Sequence, residues 1–134
     1  METLERARIK VIVKAIDDLE DIVNEYGHDY IYEAVSREDN SFNFTSCWYV
    51  KDDQPDCLIA KFLFRRGWTI EELKSCERMN VHAASQRFPD RLTRDEVSIL
   101  MAAQQAQDNG KTWGVALDKA KLEAFYLIRQ LHSL

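Results

Sequence analysis

Cys47, Cys57, Cys76 and His82 carry the ligand types a tetrahedral zinc ion prefers, thiolate sulfur and imidazole nitrogen. Their spacing does not clip a metal. Nine residues lie between the first two cysteines and eighteen between the next two, whereas structural zinc sites show a close pair such as Cys-x-x-Cys. A Cys-His nucleophilic pair could be drawn from Cys47 or Cys76 with His28 or His82, but no local signature or activating helix start singles one out. Asp52, Asp53 and Asp56 offer oxygen ligands without the glycine and terminal glutamate of a calcium loop. Carboxylates at a helix start, each worth about half a kcal/mol against the helix dipole, account for them. Phosphate-cradling glycine loops, dinucleotide fingerprints and His-Glu-x-x-His are absent from the sequence. No catalytic residue, metal ligand or cofactor is assigned, and a cysteine-dependent enzyme or zinc-binding protein is kept as the second alternative.

A more specific pattern runs through residues 57–88. Leu58 to Gly67, then Thr69-Ile70-Glu71-Glu72-Leu73, read as the first two helices of a helix-turn-helix, with Val81 to Arg87 as recognition helix. Gln86 and Arg87 would face the bases. Against this DNA-binding alternative, the link from Leu73 to Val81 lacks the expected glycine, the third helix has few basic residues and the net charge is −5. Three short helices that merely pack explain the same pattern.

Aromatic side chains offer a third kind of chemistry, that of contact. Seven of the fourteen aromatics lie between Tyr26 and Tyr49. Large aromatics dominate interface energetics, so Tyr30, Tyr32, Phe42, Phe44 and Trp48 are the candidate partner-binding residues. Both faces of this segment could equally be covered by helices of the same domain.

The elements that would position these residues are legible in periodicity and punctuation. Ile9, Ile12, Ile16, Leu19, Val23 and Tyr26 form a three-four seam opposite Asp17, Asp18, Glu20, Asp21 and Glu25. This predicts a long amphipathic helix, capped by Thr3 and ended at Gly27, whose seam docks on the rest of the chain or on a second copy as a dimer seam. Residues 30–35 and 44–50 alternate as strands of a β-hairpin. Lys51 to Pro55 reads as a turn into a helix, with Asp53 or Gln54 at the cap and Pro55 at the first helical position. Thr69 with Glu72 and Thr93 with Glu96 are capping boxes, and Asn109-Gly110 separates the latter's helix from a last one that begins after Thr112. In that last helix Trp113, Ala116, Leu117, Ala120, Ala124, Leu127, Ile128 and Leu131 form a broad stripe, and its length suits pairing with the first.

These elements predict a single domain over residues 1–134, α+β and mainly α, with five or six helices around one core and a small β-hairpin after the long first helix. A chain of this length removes roughly two-thirds of its unfolded surface from water. The acid is concentrated at the front: residues 1–40 hold eleven Asp or Glu against five Lys or Arg. No run approaches the about 18 apolar residues of a membrane span. Without a basic-then-apolar start, the cytoplasm is the expected compartment, the three cysteines are expected as free thiols, and no membrane partner is expected.

Cys47-x-Tyr49, Pro55-Asp56-Cys57-Leu58-Ile59-Ala60 opening a helix to Gly67, Ala103-Gln104-Gln105-Ala106-Gln107-Asp108 before Gly110, and Trp113-Gly114-Val115-Ala116-Leu117 together resemble small uncharacterised proteins encoded by actinobacterial phages and their hosts. The resemblance covers Cys47 to Leu122, implies a phage origin and an intracellular role, and carries no functional residues over. The sequence thus reads as a small, non-catalytic interaction protein that binds a host or phage macromolecule, with a protein partner and a homodimer expected before nucleic acid.

Overall fold

The Thr3 hydroxyl accepts a hydrogen bond from the Arg6 amide at 3.1 Å and opens α1 (Leu4–Tyr26), the longest helix of the computed structural model, which describes residues 3–33 and 49–132. Gly27 ends it with φ 105°, its amide bonded to the Val23 carbonyl at 2.7 Å, a backbone shape that side chains with a Cβ rarely adopt. The hairpin that follows is two short antiparallel strands, β1 (Val50–Lys51) and β2 (Gln54–Pro55), with Val50 opposite Pro55 and Lys51 opposite Gln54.

This hairpin lies where a turn into a helix was expected. Asp52 and Asp53 both take positive φ, 53° and 60°, the backbone that a two-residue turn needs to match strand twist. They therefore join two strands instead of charging a helix start. The cap of α2 (Leu58–Arg65) is Cys57, whose sulfur accepts from the Ala60 amide at 3.4 Å, and not Asp53 or Gln54. Of the two predicted strands, residues 34–48 lie outside the described residues, and Ile31 makes an isolated antiparallel bridge to Thr112.

The later punctuation holds. Capping boxes at Thr69–Glu72 and Thr93–Glu96 open α3 (Ile70–Lys74) and α5 (Arg94–Asp108), with both reciprocal hydrogen bonds formed in each. Asn80 caps α4 (Val81–Arg87), and α6 (Trp113–His132) closes the described chain. The fold is α+β and mainly α, with six helices among the described residues.

The buried side chains form one cluster to which every helix contributes. α5 and α6 make the most extensive pairing, α1 lies against both, α2 joins α1 and α5, and α4 packs on α5. Buried alanines, Ala103 and Ala106 in α5 and Ala116, Ala120 and Ala124 in α6, keep these helices slim where they enter the core. Ile12, Leu19 and Val23 of α1 have no exposed surface, and Ile9 and Ile16 pack against the same cluster. The seam of α1 is thus covered by the chain's own helices, which leaves Tyr26 alone of the six predicted dimer-seam residues substantially exposed.

A candidate interaction surface on the last helix

Several of the described residues with chemical potential are spent on building the fold. Cys57 is disulfide-bonded, which corrects the expectation of free thiols there. Cys76 is free and buried, and burial pushes its thiol pKa up against weaker opposing effects from Ser75 and Arg87. Such a thiol is a poorer nucleophile near neutral pH than an ordinary one. His82 is exposed on α4, and among the described residues no three His, Cys, Asp or Glu side chains gather as metal ligands would. Asp56 accepts the Tyr32 hydroxyl at 2.9 Å, and Asp53 takes an ion pair from Lys74 at 2.7 Å that holds its carboxyl below the usual range.

Three of the five acids on the acidic face of α1 are similarly engaged. Asp18 receives Lys14 and Arg66, each at 2.9 Å, and these bonds outweigh burial to lower its pKa. Glu20 meets Lys121 of α6 at 2.7 Å and Glu25 meets Arg65 of α2 at 2.6 Å. Deeper in, Arg8 forks onto the buried Asp95 through two hydrogen bonds of 3.0 and 2.9 Å, the bidentate geometry in which guanidinium and carboxylate match best. Arg66 lies over the Phe62 ring and joins Asp18 to the buried Glu96.

Two buried glutamines one turn apart on α5 act as caps for other helices. Gln104 Oε1 accepts the Val81 amide at 2.7 Å, the first of α4, while Gln107 Oε1 accepts the Leu58 amide at 2.8 Å, the first of α2. Gln107 Oε1 also accepts the indole N–H of Trp113 at 3.1 Å. Helix starts leave four amides without intrahelical acceptors, so each glutamine satisfies a group whose burial would otherwise be costly. Sequence reading missed both roles, because a glutamine on a helix gives no local sign of burial.

The candidate partner residues of the aromatic segment are placed differently from the expectation. Tyr32 is 7% exposed with its hydroxyl on Asp56, so its ring is packed inside the chain. Tyr30 is 37% exposed but its ring lies 4.4 Å from that of the buried Trp113, with Tyr26 5.3 Å from the same indole. Phe42, Phe44 and Trp48 lie outside the described residues. On α4, Gln86 and Arg87 are exposed; Arg87 donates to the Ser75 hydroxyl at 3.1 Å, and Gln86 stands 3.4 Å from His82. The linker ahead of α4 takes its positive φ at Arg78 in place of glycine.

Among the described residues, the outside of α6 carries a group of highly exposed apolar side chains. Leu122, Phe125 and Tyr126 are 63%, 59% and 61% exposed, three large apolar side chains within two helical turns. Asp118 and Arg129 are exposed on the same side, with Arg129 lying 5.9 Å over the Phe125 ring, and Val115 extends the row toward the helix start. A groove of about 780 Å³ runs beside it, lined by Arg8 of α1 with Leu122, Phe125, Tyr126 and Leu131 of α6. The helix is therefore apolar on two opposite faces. The inward stripe was predicted; the outward one is harder to read because charged residues such as Asp118, Lys119, Lys121 and Arg129 are interspersed with it, although successive steps of three and four residues through Leu122, Phe125 and Arg129 carry the signal.

Compared with known proteins, the chain matches no family model, no curated protein and no solved structure.

Proposed function

We propose that this protein works by contact rather than turnover, as an interaction protein whose working surface is the outer face of α6 and whose partner is a protein. The observation that carries the reading is the cluster of Leu122, Phe125 and Tyr126, each more than half exposed on one helix face. Isolated exposed apolar residues are ordinary, but a contiguous group with aromatic members and an arginine is the composition of an interface centre. The engagement of Asp18, Asp53, Asp95 and Glu96 in ion pairs and of Cys57 in a disulfide supports the same reading, because these groups hold the fold together.

The phage origin and a host or phage macromolecule as target belong to this proposal through the sequence resemblance alone. The disulfide at Cys57 points toward an oxidising compartment and away from the cytoplasm expected above. No helix among the described residues is long and apolar enough to cross a membrane. The DNA-binding alternative gains no support from α4, which packs on α5 and ties Arg87 to Ser75.

A photo-crosslinking amino acid at Phe125, compared in cells with the same group at exposed Glu71 on α3, tests the proposal. Covalent adducts with polypeptide are expected at 125 and not at 71. Equal labelling at both positions, or none at 125, would overturn it.

A further inference from the structure

Asp118, Leu122, Phe125 and Arg129 follow one another at steps of four, three and four residues, so they form a single row along the outer face of α6. The order of chemistries along that row is acid, apolar, apolar, base. Asp118 and Arg129 stand the same distance either side of the point between Glu123 and Ala124, and so do Leu122 and Phe125. From the helical rise the outer two are separated by about 16 Å and the inner two by about 4.5 Å. A row with that symmetry is complementary to itself when reversed.

We propose that the occupant of this face is a second copy of the chain, its α6 antiparallel to the first. This rests on the reading of the outer face of α6 as a contact surface and names its partner. About a two-fold axis each contact is made twice, so Asp118 of each copy meets Arg129 of the other while Leu122 of each packs on Phe125 of the other. In antiparallel helix pairs with a three-four repeat, facing layers combine unlike positions of the repeat, as this pairing requires. A parallel arrangement would set Asp118 against Asp118 and Arg129 against Arg129. The charges thus select orientation while the apolar centre supplies the attraction. Tyr126 flanks the row on the groove side, where Arg8 and Leu131 border it. This surface is distinct from the α1 seam, whose Ile12, Leu19 and Val23 are already buried.

Sedimentation equilibrium on the full chain, with Asp118→Arg, Arg129→Asp, the double reversal and Phe125→Glu, tests the pairing. All three substituted positions are exposed, so unchanged circular dichroism and melting temperature are the expected controls for the four variants. The wild type is expected to sediment as a concentration-dependent dimer, each single reversal to raise the dimer dissociation constant about tenfold, and the double reversal to return it to near the wild-type value. Phe125→Glu should give a monomer. A double reversal as weak as the singles, or a dimer that tolerates Phe125→Glu, would overturn the pairing. A wild type monomeric at several hundred micromolar that still forms crosslinks to other polypeptides at position 125 would refute the second copy and leave the contact surface standing. A dimer with no crosslinks at 125 would refute both.

Discussion

Gln107 shows how much of the architecture rests on single polar atoms. Its side-chain carbonyl holds the first amide of α2 at 2.8 Å and the Trp113 indole at 3.1 Å, so one oxygen ties the start of one helix to the first residue of another. Replacement by alanine leaves two buried donors without an acceptor, at about 1 to 3 kcal/mol each before any relaxation. Gln107→Ala is therefore expected to lose about 2 to 4 kcal/mol in urea unfolding, whereas Gln105→Ala, two residues away and exposed, should stay within about half a kcal/mol of wild type. Equal losses at the two positions would remove the capping role. Tyr49 belongs to the same scale: its hydroxyl donates to the Met79 carbonyl at 2.8 Å and lies 3.4 Å from the Gln104 amide, and burial pushes the phenol's pKa well above its ordinary value. It is a structural strut and carries no proton chemistry near neutral pH.

At the scale of elements, the start of α6 depends on the loop that follows α1. The His28 and Tyr30 carbonyls accept the Gly114 and Trp113 amides at 2.9 and 2.8 Å, and Thr112 supplies its hydroxyl to the Val115 amide at 3.1 Å. A Cβ at Gly114 would stand 2.7 Å from the His28 carbonyl oxygen, which is backbone held by its own hydrogen bond. Alanine would gain up to about 1 kcal/mol of helix propensity there but would overpack the contact at about 1 to 3 kcal/mol. Gly114→Ala is expected to lower stability by about 1 to 2 kcal/mol net, read as a fall in melting temperature; a rise would mean that the loop yields freely. Helix boundaries were legible because Thr3, Thr69 with Glu72, and Thr93 with Glu96 act locally on the amides beside them. The hairpin after the first helix was expected, but its turn at 52–53 was misplaced because Asp52 and Asp53 resemble carboxylates at a helix start, and only backbone angles separate the two uses. The α1 seam could not be assigned to the chain's own core or to a second copy, since periodicity states that a face is buried and not what buries it. The glutamine caps depend on residues 23 and 49 positions apart, beyond the reach of any local pattern.

For the whole molecule, Asp18, Asp53, Asp56, Asp95, Glu96 and Cys57 are tied into the fold, while an apolar face on the last helix stays open. Arg8 with Asp95, Arg66 with Asp18 and Glu96, and Lys121 with Glu20 link α1 to α5, to the end of α2 and to α6. Those links leave the far side of α6, with Leu122, Phe125 and Tyr126 each more than half exposed, as an apolar surface not used by neighbouring helices. The account predicts that this side, and no other described face, changes its surroundings when molecules meet. A dilution series followed by two-dimensional amide NMR tests this most directly. Resonances of Asp118, Leu122, Phe125, Tyr126 and Arg129 are expected to move with concentration while those of Gln86, Arg87 and the exposed side of α1 stay fixed. Concentration-independent spectra, or shifts centred on α4 or α1, would contradict the account.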